Sequence, residues 1–233
     1  MFKYIIGLYF LFFATNMVIS QEKSYTNLLD TIIWQKNIGL FNGLQYVEKY
    51  RTDSESHMFF LDRNFKNGSL SLVTKKFSNI PLKYDVFDDA LIVKSFTKEN
   101  VTALILDNSI VKSFEIEGHE FSFLHTIDNK IPTGYYELLY ENASFSLYKK
   151  HIKKIVKKTS DGYVNFGFKD TYTYYFYYEN EYTTIKKPAN FVTIFPDLKY
   201  EIQLSITKHK KLSKTDYSHY LVTILEDIFK NKK

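Results

Sequence analysis

Hydrophobic and polar positions alternate along much of the chain between residues 41 and 190. Leu82, Tyr84 and Val86 fall on one side of an extended segment, with Lys83 and Asp85 on the other. That period of two marks a half-buried strand. Ser69-Leu-Ser-Leu-Val73 alternates in the same way, and the preceding Asn67-Gly68 reads as the turn that opens it. Phe41-Asn-Gly-Leu-Gln-Tyr-Val47 reads as another turn leading into a strand. Ala90-Leu-Ile-Val93, after the Asp88-Asp89 turn, and Val101 to Leu106 are short continuous apolar runs.

Three hairpins are expected. Phe114-Glu-Ile116 and Phe121-Ser-Phe123 flank Glu117-Gly118, and Tyr135 to Tyr140 and Ser144 to Tyr148 flank Glu141-Asn-Ala143. Tyr172 to Tyr178 and Tyr182 to Ile185 flank Glu179-Asn-Glu181. No helical period occurs in this region. Many short β-prone runs predict a mainly β fold, an antiparallel sandwich or barrel-like sheet.

The period changes after Phe195-Pro196. Asp197 is placed to cap a helix reaching about Lys208, with Leu198, Ile202 and Ile206 four apart. Thr215 or Asp216 can cap another, whose stripe is Tyr220, Leu221, Ile224, Leu225 and Ile228. The C-terminal segment is therefore expected to be two short helices lying on the sheet. The expected core includes Leu72, Leu82, Tyr84, Val86, Ile92, Leu104, Leu106, Phe114, Ile116, Phe121, Phe123, Leu138 and Tyr140.

The first twenty residues read differently. Lys3 precedes an apolar run from Tyr4 to Phe13, and Val18-Ile-Ser20 places branched or small residues before Gln21. Charge, length and cleavage site are those of a secretory signal peptide, and the run is too short to span a bilayer. The plan is a signal peptide at 1–20, an N-terminal arm at 21–40, a β-rich domain at 41–190 and a helical segment at 191–233. No transmembrane span is expected after cleavage. A transmembrane β-barrel is disfavoured by charged residues on both faces of several runs.

Composition narrows the chemistry. The 233 residues contain no cysteine, which excludes a disulfide framework, Cys-ligated zinc, iron–sulfur clusters and thiol nucleophiles. A cysteine-free exported protein fits a Gram-negative periplasm or cell surface. The 21 Phe and 20 Tyr mostly occupy alternating strand positions and so belong to the sheet core. The exception is Tyr174, Tyr175, Phe176, Tyr177 and Tyr178. Consecutive rings must face both sides of a strand, which makes them a candidate aromatic binding surface.

Several segments in order resemble a family of uncharacterised exported proteins of the Bacteroidetes. They are Phe41-Asn-Gly-Leu-Gln-Tyr46, Gly68-Ser69 opening a strand, and Pro81-Leu-Lys-Tyr-Asp-Val-Phe-Asp-Asp89. Phe114-Glu-Ile-Glu-Gly-His-Glu-Phe121 and Gly134-Tyr-Tyr-Glu-Leu-Leu-Tyr140 follow, with a Lys-rich strand after them. The resemblance covers most of residues 40–160. It implies export and a common fold, and it transfers no catalytic residue.

Candidate chemistry is sparse. Asp85, Asp88 and Asp89 form the densest carboxylate cluster, but alternating calcium-loop positions with a closing Glu are missing. The six histidines, at 57, 119, 125, 151, 209 and 219, form no metal-binding helical pair. No serine elbow, phosphate loop or dinucleotide fingerprint occurs. No catalytic residue, metal ligand or cofactor is predicted.

Charge is unevenly spread. Residues 21–148 hold 13 basic and 17 acidic side chains, net −4, and residues 149–233 hold 17 and 9, net +8. Lys149, Lys150, Lys153, Lys154, Lys157 and Lys158 form the sharpest block. It reads as a surface for anionic envelope components, or as a solvated edge strand kept monomeric by its lysines. Nucleic acid is not expected as a partner, because Arg occurs only at positions 51 and 63. The function expected is a non-enzymatic envelope or surface protein with a structural or binding role, its partner an anionic envelope component or another envelope protein. The alternative is an envelope-polymer or peptide hydrolase using Asp, Glu or His.

Overall fold

The computed structural model describes residues 44–50, 52, 56–96, 101–126, 130–160 and 163–229. The expected signal peptide and N-terminal arm lie outside them. The fold is mainly β, with antiparallel strand ladders and a short C-terminal helical segment. The strands are β1 (Leu44–Gln45), β2 (Lys66–Leu72), β3 (Lys76–Asp85), β4 (Ala90–Phe96), β5 (Val101–Ile105) and β6 (Val111–Ile116). They continue with β7 (His119–Leu124), β8 (Gly134–Glu141), β9 (Phe145–Ser160), β10 (Tyr163–Tyr178) and β11 (Glu181–Ile185). The helices are α1 (Asn190–Ile194), α2 (Lys199–Lys208), α3 (Leu212–Thr215) and α4 (Tyr217–Phe229), with a 3-10 turn at Pro196–Leu198.

The chain divides into two compact units. The first comprises residues 1–47, 64–83 and 91–117, and the second 48–63, 84–90 and 118–233. In the first, the strand order is β1-β5-β4-β3-β2-β6. Its core takes alternate residues: Leu70 and Leu72 of β2, Ile80 and Leu82 of β3, and Phe114 and Ile116 of β6. Leu91, Ile92 and Val93 are all buried, so β4 packs on both faces. Of the expected core, Leu104, Phe123, Leu138 and Tyr140 are only half-buried.

Asn67-Gly68 is not a turn. Both lie inside β2, where the register shifts between Gly68 and Leu70. A Cβ at Gly68 would stand 2.0 Å from the carbonyl oxygen of Glu115. The glycine is there because two backbones approach closely at a bulge. The turns at Glu117-Gly118 and Glu179-Asn180 do have positive φ at both residues, as a two-residue hairpin turn requires.

The second unit is built on β7-β8-β9-β10-β11. The expected hairpins around residues 141–143 and 179–181 are present, but β9 and β10 are far longer than their aromatic runs. Each has 16 residues, paired from Phe145↔Tyr178 to Ser160↔Tyr163. At roughly 3.3 Å per residue this ribbon is about 50 Å long. The lysine block reads as a strand in the sequence, but its lack of apolar alternation does not show that β10 pairs with it along its whole length.

Cross-strand register assigns the ribbon's faces. Phe145, Leu147, Tyr174, Phe176 and Tyr178 share one face, and Tyr148, Tyr175 and Tyr177 the other. The helices cover the first face. Phe191, Ile202, Tyr220, Leu221, Ile224, Leu225 and Ile228 pack onto Phe145, Leu147, Tyr174, Phe176 and Ile185. The buried stripe of α4 is the one expected from its spacing, and Asp216 caps it by accepting a hydrogen bond from the His219 N–H at 2.9 Å. Asp197 caps nothing with its side chain; it sits in the 3-10 turn before α2. On the second face, Ile131, Tyr136, Tyr148 and Tyr175 form a smaller cluster.

Candidate functional site: an acidic aromatic groove

The sheet and the helices meet at one end of the ribbon in an open groove of about 900 Å³. One wall is the β8–β9 turn and strand ends: Tyr140, Asn142, Ala143, Ser144, Phe145 and Tyr178. The other is Ile194 to Leu198, with Glu226 and Phe229 of α4. Local structure places each. Asn142 Oδ1 accepts from the N–H groups of Ser144 and Phe145 at 2.8 and 2.9 Å, closing the turn. Asn190 Oδ1 accepts from the N–H groups of Lys186 and Lys187, fixing the entry to α1. Pro196 then stops α1, because it lacks an N–H and restricts the preceding residue. Phe195 is thereby turned onto the ribbon.

The floor is a continuous set of rings. Phe145 lies 5.8 Å from Tyr140, 4.7 Å from Phe229 and 6.2 Å from Phe195. Phe195 lies 5.0 Å from Tyr178 and 5.1 Å from Phe229. These offset and edge-on contacts are the favoured aromatic geometries. The lining has two carboxylates, Asp197 and Glu226, and no basic side chain. Both carboxylates are exposed, and no described ion pair reaches either. Ring faces beside carboxylates, in a chain of net charge +5, form a site suited to a cation with apolar flanks.

The two surfaces expected from the sequence are placed elsewhere or divided. Tyr174, Tyr175 and Phe176 are buried. The helices cover Tyr174 and Phe176, and Tyr175 packs with Tyr136 at 5.6 Å. Tyr177 is half-buried, its hydroxyl donating to Asn180 Oδ1 at 3.1 Å. Only Tyr178 of the five reaches the groove. The rings do face both sides of the strand, but both sides are covered. Burial also pushes the hydroxyl of Tyr182 up to about 12, so it stays a neutral donor.

The lysine block does not present one face. Lys150 is buried and pairs with Asp89 at 2.7 Å. Lys153 pairs with Asp170 at 2.8 Å. Lys149 lies 3.8 Å from Glu137 and 4.3 Å from the Tyr172 ring centroid. Lys154 and Lys157 are exposed, and Lys158 stands opposite Asn165 in the ladder. Alternation along β9 separates them, and three carboxylates occupy the first three lysines.

The acidic cluster is likewise occupied. Asp85 Oδ1 accepts from the N–H groups of Phe87 and Asp88 at 3.0 and 3.1 Å. Asp88 pairs with Lys49 at 2.7 Å, and Asp89 accepts from the Tyr84 hydroxyl at 2.5 Å. Gly134 is required beside it, because a Cβ there would stand 1.9 Å from Asp89 Oδ2 and 2.7 Å from Lys150 Nζ.

One buried constellation escaped the sequence. Glu137 is 5% exposed and accepts from His119 Nδ1 and His151 Nε2, each at 2.5 Å. An ionised carboxylate only accepts, so each of those nitrogens carries its hydrogen. Phe60 lies edge-on to both imidazoles, at 5.1 and 5.0 Å. Burial pushes the Glu137 carboxyl up, but the two histidines and Lys149 outweigh it and bring it to about 2. Burial lowers His151 despite Glu137 beside it. The three residues lie on β7, β8 and β9, with His119 and His151 respectively 18 and 14 positions from Glu137, so only the strand register reveals them.

Both groups bind protons less readily folded than unfolded. Their stabilisation is complete above the ordinary values of 6.5 and 4.5. It is lost as pH falls, first through His151 and then toward about 2 through Glu137. The melting temperature is expected to fall steadily from about pH 7 to about pH 3, with Glu137→Gln flattening the lower limb. A melting temperature that holds or rises on acidification would contradict this reading of the cluster.

Among the described residues no group of three or more His, Asp or Glu is arranged to hold a metal ion, and no helix is long and apolar enough to cross a membrane. No family model, curated protein or solved structure matches the chain.

Proposed function

We propose that this is an exported, non-enzymatic protein of a Gram-negative cell envelope or surface; the Bacteroidetes resemblance implies the export, and the non-enzymatic role is our own reading of the groove. Its work is to bind another envelope protein through the acidic aromatic groove. The carrying observation is the groove's chemistry: five rings, two exposed carboxylates and no basic side chain on its lining. Its volume of about 900 Å³ lies within the range of ligand sites, and its openness to one side suits a peptide segment carrying lysine or arginine among apolar residues. Cations over ring faces gain about 0.5–2 kcal/mol each as they lose water. The N-terminal charge, apolar run and cleavage pattern support export.

Calorimetric titration of a hexapeptide alternating lysine with leucine tests the reading. Binding should weaken about tenfold or more in Phe195→Ala, decline with added salt, and vanish when glutamate replaces lysine in the peptide. Equal binding of both peptides, or none of the basic one, would overturn it.

A further inference from the structure

The same ribbon that ends in the groove carries a complementary surface at its other end. Past Lys153, β9 exposes Lys154, Ile155, Val156 and Lys157 in succession. Ile155 and Val156 are 37% and 43% exposed, high for branched aliphatic side chains in a strand. On β10, exposed Lys169 stands directly opposite Lys154, which gathers like charge at this point of the ladder. The neighbouring carboxylate, Asp170, is already paired with Lys153. This ribbon end is therefore basic and apolar, and the groove is acidic and aromatic.

The two surfaces cannot meet within one molecule. The groove holds Phe145 and Tyr178, the pair that opens the β9–β10 ladder, and Lys154 to Lys157 lie nine to twelve positions further along β9. That separation is about 30–40 Å along a paired ribbon. Tyr50 and Ser56 brace the far half: Tyr50 packs against Phe166 and Phe168 at 5.2 and 5.6 Å, and the Ser56 hydroxyl accepts from the Phe168 N–H at 2.7 Å. The ribbon is thus held extended, with its basic end away from its own groove.

We propose that the groove of one molecule receives the basic ribbon end of a second copy, giving head-to-tail assembly. Donor and acceptor surfaces differ, so the contact is heterologous and propagates unless its rotation closes a ring. The inference rests on the groove being a binding surface for cationic, apolar-flanked segments, and it names the occupant.

Sedimentation velocity of the exported chain, across a concentration series at low salt, tests it. The wild type is expected to self-associate, with association falling at least tenfold in Asp197→Lys/Glu226→Lys and equally in Lys154→Glu/Lys157→Glu. All four positions are exposed, so circular dichroism should show both variants folded. The chain carrying all four substitutions reverses both partners and should regain association. A monomeric wild type, or a four-fold variant that stays monomeric while the wild type associates, overturns the proposal. A monomeric wild type that still binds the lysine–leucine peptide defeats self-assembly alone, whereas loss of both defeats the groove reading as well.

Discussion

Phe176→Ala is expected to destabilise the second unit by about 3–5 kcal/mol, the cost of deleting a fully buried aromatic ring. Phe176 has no exposed surface and sits where the ribbon meets the helices. Its ring lies 5.0 Å from Phe145, 5.4 Å from Phe191 and 5.8 Å from Phe195. Removing it leaves a cavity between two layers of rigid secondary structure, which collapse only partly. The loss is a large share of the 5–15 kcal/mol that typically separates folded from unfolded chains. Urea unfolding followed by far-ultraviolet dichroism should show the midpoint well below wild type. Because Phe145 and Phe195 also line the groove, the same variant should weaken peptide binding under conditions where it is still folded. A midpoint within the equivalent of about 1 kcal/mol of wild type would mean that the helices are held by something other than this aromatic layer.

The second large effect is expected at Lys150. Its ammonium group donates to Asp89 Oδ2 at 2.7 Å and to the Tyr135 carbonyl at 2.9 Å. Burial lowers the lysine against the pull of Asp89. Breaking a fully buried ion pair costs about 3–5 kcal/mol, chiefly because one charge is left uncompensated. The Asp89 side chain keeps 28% of its exposure, so Lys150→Met should cost somewhat less, about 2–4 kcal/mol. Lys150→Met combined with Asp89→Asn removes both charges and should lie closer to wild type than the two single losses added together. Additive losses would show that the pair is not coupled. Gly134→Ala should be comparably damaging, since the methyl group would enter the space that this pair occupies.

The parts of the fold legible in the sequence were those with a clean period. The stripe of α4 follows from its 3.6-residue spacing, and Leu82, Tyr84 and Val86 from alternation. Where two features shared one residue type, the sequence was ambiguous. Asn67-Gly68 has turn chemistry, but its glycine answers a backbone contact from Glu115, 47 positions away. Six lysines within ten residues look like one charged face. Yet the distal carboxylates Asp89, Glu137 and Asp170 draw half of them inward.

The groove was legible only at Tyr178. Its other walls come from a turn at 142–144, the break at Pro196 and one side of α4, which no local pattern brings together. The His119–Glu137–His151 cluster is hidden for the same reason, because long-range strand register assembles it.

Hydrogen exchange of the full chain, with and without saturating lysine–leucine peptide, tests whether the groove is a binding surface. At a chain concentration low enough to keep it monomeric, slowed exchange is expected at residues 140–145, 178, 194–198 and 226–229, the walls of the groove, with unchanged exchange in the lysine-rich half of β9. Protection centred on residues outside the groove, or no protection at saturation, would contradict it.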